Sequence, residues 1–190
     1  MYVKKLYLLV LLIVTFISCD GRYKAKRNHI DALKEAKLFE SFSEELKFFP
    51  KEYTEIKTDT LLSNGFEIKI DYHSLENDFV IKTSKKSKDT SIRKHFKNFE
   101  ANLYVLKSNI PIANNTINKS LFYNDTNKAF LDNAIMQYAW IDYNSVTKNS
   151  VQLNTSFILP ETEKFKDFVI TVYDDGKKIA EEINLIENAL

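Results

Sequence analysis

Apolar and polar residues alternate one for one from Phe66 to His73, with Phe66, Ile68, Ile70 and Tyr72 on one side and Glu67, Lys69, Asp71 and His73 on the other. A period of two puts one set in a core and the other in water, so this is the clearest predicted strand. Asn64-Gly65 stands just ahead of it, behind the run Glu55 to Leu62, and predicts a two-residue hairpin because both residues tolerate positive φ. Further strands are predicted at Phe79 to Thr83, Phe99 to Lys107, Met136 to Tyr143, Val151 to Leu159, Phe168 to Tyr173 and Lys178 to Leu185. Asp174-Asp175-Gly176 turns the last two into a terminal hairpin. Met136 to Ile141 is apolar on both faces, which predicts a central strand covered on each side. Thr126 to Asn133 reads as a short helix capped by Thr126.

Ahead of these strands the period is helical. Leu38, Phe39, Phe42, Leu46 and Phe49 form a stripe, Glu40, Glu44, Glu45 and Lys47 take the other side, and Pro50 stops the run. Left bare, such a stripe would be insoluble, so it is expected to pack on the following domain, with a partner or membrane surface as the alternative. Short strands with turns between them and no alternating long helices disfavour a parallel α/β fold. The expected fold is mainly β: an antiparallel β-sandwich or barrel-like body with an N-terminal amphipathic helix. The expected divisions are a signal peptide at 1–18, a basic linker at 19–27, the helix at 28–50 and a single β-rich domain at 51–190.

The amino terminus carries an address. Lys4 and Lys5 precede the 13-residue stretch Leu6 to Ser18, whose aliphatic centre is Leu8 to Val14, and the polar chain begins at Cys19-Asp20. These are the charged and apolar parts of a secretory signal. Spanning a bilayer takes roughly 20 apolar residues, so the segment is an export signal rather than a mature anchor. Phe16-Ile17-Ser18-Cys19 resembles the lipobox of bacterial lipoproteins, although Phe16 stands where Leu is usual. The resemblance implies that Cys19 gains a diacylglyceryl thioether, that the peptide is cut before it, and that the new amino group is acylated. Two or more chains hold a protein stably at a membrane, where one binds only marginally. Cys19 is the chain's single cysteine, so no disulfide forms within it.

After the anchor, Asp20 to Arg27 holds Arg22, Lys24, Lys26 and Arg27, which either lie against anionic headgroups or form a solvated linker. The expected address is the bacterial cell envelope, on the outer membrane where the cell has one, with the leaflet left open. Farther on, Asp59 to Phe66, Lys119 to Phe122, Trp140 to Tyr143 and Leu159 to Thr162 resemble, in that order, a family of bacterial lipoproteins that carries a domain of unknown function. That resemblance spans about Glu55 to the end and implies no activity, ligand or catalytic residue.

The chain has 190 residues, 44% of them hydrophobic and 28% charged, which excludes disordered, collagen-like and polytopic membrane classes. Removal of 1–18 takes away Lys4 and Lys5 and no acid, turning 27 basic against 26 acidic residues into 25 against 26. A near-neutral balance steers the protein toward no nucleic acid or anionic membrane, so electrostatic binding would need a local patch. One patch stands out: Lys82, Lys85, Lys86, Lys88, Arg93, Lys94 and Lys97, with Asp89 the only acid among them. It could hold an anionic polysaccharide or lipid headgroup, although a solvated lysine-rich loop is the commoner reading. Nucleic acid is disfavoured because the chain has three arginines, Arg22, Arg27 and Arg93, to supply the bidentate fork.

Other chemistry finds little support. Gly21, Gly65 and Gly176 are each explained by a linker or turn, which leaves no glycine-rich phosphate loop. His29, His73 and His95 lack ligand spacing and are expected at the surface, so neither a metal nor another cofactor is implied. No Gly-x-Ser-x-Gly elbow is present, although a carboxylate pair could still be assembled from distant positions. Tyr138 and Trp140 share a strand face that suggests a carbohydrate platform, but Tyr143 falls on the other face, and core packing is the expected role. The expected function is a lipid-anchored envelope protein acting as a non-catalytic binding or structural module. It is held to the membrane through lipidated Cys19, with an envelope polysaccharide or protein as candidate partner. The alternatives are an envelope glycan or peptide hydrolase and a carbohydrate-binding module.

Overall fold

The computed structural model describes residues 44–86 and 90–183. The chain divides into two compact units, Leu46–Lys85 with Ile92–Leu190 and Met1–Glu45 with Lys86–Ser91, and only the first is described at length. It is mainly β. Strands β1 (Glu44–Phe49), β2 (Glu55–Leu61), β3 (Phe66–Lys85), β4 (Ser91–Lys107) and β5 (Ile110–Ile117) belong to one sheet. Its order is β1-β4-β3-β2, with β5 also pairing β4. Strands β6 (Ile135–Asp142), β7 (Ser150–Ile158), β8 (Phe165–Tyr173) and β9 (Lys178–Ile183) form a second sheet in chain order. The pairings of β2 with β3, β4 with β5, and each neighbouring pair from β6 to β9 are antiparallel. The 3₁₀ turn Lys119–Phe122 and the one-turn helix α1 (Lys128–Leu131) link β5 to β6, and a second 3₁₀ turn, Tyr143–Ser145, links β6 to β7.

The alternation of Phe66, Ile68, Ile70 and Tyr72 aims all four inward from β3. They share one buried cluster with Leu103 and Val105 of β4, Val151, Leu153 and Phe157 of β7, and Phe168, Ile170 and Val172 of β8. One core between two antiparallel sheets is a sandwich. Phe122, Phe157 and Phe168 meet at its centre, with ring centroids 4.5 to 5.7 Å apart. The Tyr72 hydroxyl joins the sheets, donating to the Met136 carbonyl of β6 at 2.9 Å. Burial pushes this phenol far above its ordinary pKa, so it stays a donor. Tyr72→Phe leaves that carbonyl short of its partner and should cost about 1–3 kcal/mol. The check is a lower urea midpoint at unchanged slope, and an unmoved midpoint would mean the carbonyl is satisfied otherwise.

Several sequence expectations change here. Of the helix expected over 28–50, residues 28–43 lie outside the described residues, and Glu44–Phe49 is a strand beside β4. Ring packing explains the switch: Phe48 meets Phe79 at 5.7 Å and Phe49 stacks on Phe96 at 5.2 Å, contacts made across a sheet rather than along a helix. The strands expected near Phe66 and at Phe79 to Thr83 are one strand of 20 residues. The turn at Asn64-Gly65 uses positive φ only at Gly65, where φ is 84°, with the Gly65 amide donating to the Leu62 carbonyl. Strand β5 was not expected from its sequence. It follows Ser108 and Asn109, both at positive φ, in a two-residue turn that sets Lys107 opposite Ile110.

Helix α1 begins after Asn127 instead of Thr126, and the Asn124 side chain accepts from the Thr126 and Asn127 amides. In the terminal hairpin Gly176 has φ of 83°, and a Cβ there would lie 2.9 Å from the Ile112 carbonyl oxygen. Both facts require glycine. Lastly, β6 is an edge strand rather than a central one.

Candidate functional site

The edge position of β6 decides where its aromatic residues go. Ala139 and Ile141 stand opposite Thr155 and Leu153 on the core side, so Tyr138 and Trp140 point outward. A register shift between Met136 and Tyr138 lets Met136 remain buried while Tyr138 faces out. The core role expected for Trp140 is therefore corrected: its side chain is 53% exposed. It stacks on Tyr138 with ring centroids 3.8 Å apart and planes 13° from parallel. One indole face is covered by Tyr138. Tyr143 is exposed as well, its hydroxyl 3.4 Å from Thr60 Oγ1.

Cross-strand register extends this pair into a surface. Trp140 stands opposite Asn154, then Val169, then Glu181, and Tyr138 stands opposite Ser156, then Asp167, then Ile183. Asp142, Gln152 and Thr171 make the next row. Stacked aromatic rings thus sit beside side chains that donate and accept hydrogen bonds. Asp142 is held ionised below its ordinary pKa chiefly by the Ser145 hydroxyl, which donates at 2.6 Å, helped by the Asn144 amide at 3.0 Å and the Asn154 side chain. Burial raises the Tyr138 phenol, and the Asp167 charge raises it further. One Asp167 oxygen, Oδ1, is buried and has no hydrogen-bond partner in the structure. A strip of this kind can stack the C–H face of a ring-shaped solute on Trp140 while amides and carboxylates take its hydroxyl groups.

The residues singled out by sequence fall elsewhere. Cys19 and Lys88 lie outside the described residues. Of the basic set, Lys82 and Lys85 are on β3 and Arg93, Lys94 and Lys97 on β4, so these five belong to strands rather than to a loop. Alternation along β4 sends Lys94 to the face opposite Arg93 and Lys97. Lys94 is ion-paired with Glu161, Lys86 pairs with Glu45 at 2.7 Å, and Lys97 is buried. The cluster is continuous in sequence but not on one surface.

The two described histidines are also less exposed than expected. His73 Nε2 lies 3.3 Å from Glu100 Oε1, and the His95 ring sits 4.9 Å from that of Phe48 and 5.3 Å from that of Phe79. Among the described residues, no group of three or more His, Cys, Asp or Glu side chains is placed to hold a metal ion. Within the same residues, no helix is long and apolar enough to cross a membrane. What sequence reasoning missed was the outward aim of Trp140; the signal lay in small Ala139 and aliphatic Ile141 alternating with two amphipathic rings. No protein-family model matches the chain, and no curated protein matches it.

Proposed function

We propose that the protein is a lipid-anchored component of the bacterial cell envelope whose β-sandwich is a non-catalytic glycan-binding module. The observation that carries this reading is the Tyr138–Trp140 stack, an open indole on an edge strand. Large aromatic side chains left in water cost a folded protein burial it could have used, and such exposure accompanies binding surfaces. Asn154, Asp167 and Gln152 on the neighbouring strands, all partly exposed, offer the polar partners that a polyhydroxylated chain needs. The lipobox at Phe16 to Cys19 supports the location, since a triacylated cysteine would hold the sandwich beside the polymers of the envelope.

Both halves of the reading are open to one cellular experiment. Cells making the protein are fed labelled palmitate, and membrane and polysaccharide fractions are compared for the normal chain and for Cys19→Ala. Label on the normal chain alone, with Cys19→Ala lost from membranes yet still retained by insoluble envelope polysaccharide, is the expected result. Absence of label, or equal membrane association of Cys19→Ala, contradicts the anchor; loss of polysaccharide retention by both proteins contradicts the module.

A further inference from the structure

A cleft of about 200 Å³ opens where β3 and β4 meet the 3₁₀ turn Lys119–Phe122, away from the aromatic strip, and it is lined by Asp78, Asn98, Glu100, Lys119, Ser120 and Tyr123 among others. Most of its polar groups are already engaged. The Asn98 side-chain amide donates to Asp78 Oδ1 at 2.7 Å, Glu100 Oε1 faces His73, the Ser120 hydroxyl donates to Asn118 Oδ1 at 2.6 Å, and the Tyr123 hydroxyl donates to Asp132 Oδ1 at 2.9 Å.

Two groups are left over, and they are opposite in kind. Asn98 is 4% exposed, and its carbonyl oxygen Oδ1 is buried with no hydrogen-bond partner in the structure. A buried acceptor without a donor carries an unrelieved desolvation cost. Lys119 is half-buried, and among the described residues no carboxylate lies within ion-pair distance of it. Burial lowers its pKa, while Asp78 and Asp132 oppose that from farther away. The cleft therefore lacks one donor, beside Asn98 and the Asp78 carboxylate, and one anionic acceptor, beside Lys119.

We propose that this cleft binds a small zwitterion of the α-amino acid class, its ammonium group on Asn98 Oδ1 and Asp78 and its carboxylate on Lys119. Size agrees with the chemistry, because pockets for drug-sized ligands run to roughly 300–1,000 Å³ and this one is smaller. A simple anion would satisfy Lys119 but would meet Asp78 and Glu100 with like charge and bring no proton to Asn98. A simple amine would leave Lys119 unanswered and add a second cation beside it. The inference is independent of the glycan-binding reading, since the two surfaces share no residue.

The test is a titration of the detergent-solubilised full chain, isotope-labelled for amide NMR, with glycine, L-alanine and L-glutamate, and with acetate and ethylamine as half-ligands. At least one amino acid should saturate, shifting the amides around Asn98 and Lys119, with acetate and ethylamine at least tenfold weaker. Lys119→Met should weaken that binding at least tenfold while the remaining amide spectrum is unchanged. Acetate or ethylamine binding as tightly as the amino acid, shifts that map elsewhere, or no saturation by any of the three at millimolar concentration would overturn the proposal. Loss of polysaccharide binding would leave it untouched.

Discussion

Phe157→Ala is expected to lower the unfolding free energy by about 3–5 kcal/mol, the range found when a buried phenylalanine is truncated. Phe157 has no exposed surface and packs against Phe122 and Phe168, at centroid distances of 5.4 and 5.7 Å. Its neighbours come from three separate segments: Phe122 from a 3₁₀ turn, Phe168 from β8, and Met136 opposite it on β6. Backbone pairing in the second sheet fixes where Phe168 and Met136 stand, so these two cannot close over the space left by a missing ring. Since a domain of this size is stable by only about 5–15 kcal/mol, the variant should approach the edge of folding. Urea unfolding followed by far-ultraviolet circular dichroism measures it, and a loss below about 1 kcal/mol would mean that this cluster is not the packing centre.

Trp140→Ala should have a large effect of the opposite kind, on binding rather than on stability. Covering one indole face removes on the order of 100 Å² of apolar surface from water, worth about 2.5 kcal/mol at 25 cal/mol per Å². That corresponds to a fall in glycan affinity of roughly 60-fold. In the free protein the same ring is 53% exposed and touches chiefly Tyr138, so its loss should cost about 1 kcal/mol or less of folding stability. Trp140→Phe keeps a smaller aromatic face and should fall between the two. Glycan-array binding and urea unfolding of the same preparations separate the effects: unchanged binding with lowered stability would return Trp140 to a packing role.

How much of this was legible in the sequence depends on how local each determinant is. The alternation from Phe66 to Tyr72 names its own core face because strand period is a local property, and the terminal hairpin is equally plain from Asp174-Asp175-Gly176. Strand β5 was hidden because Ser108-Asn109 is a weak turn signal and Pro111 argues against a strand; Pro111 is accommodated where the β4–β5 register shifts beside Val105 and Leu106. The edge position of β6 could not be read from Met136 to Ile141, since strand order is decided by partners distant in sequence. Glu44–Phe49 has helical spacing, yet Phe48 and Phe49 find ring partners on β3 and β4 that outweigh a local preference. The basic run failed as a surface for a related reason: along a strand successive residues point to opposite faces.

The central claim, that the open indole on β6 receives a sugar ring, has a built-in reporter, because Trp140 is the only tryptophan in the chain. The decisive measurement is its emission, with acrylamide quenching, during titration with fragments of purified envelope polysaccharide. The expected result is a saturable shift to shorter wavelength with protection from acrylamide, as a solvated indole face becomes covered. Saturable glycan binding that leaves both emission and quenching unchanged would contradict it.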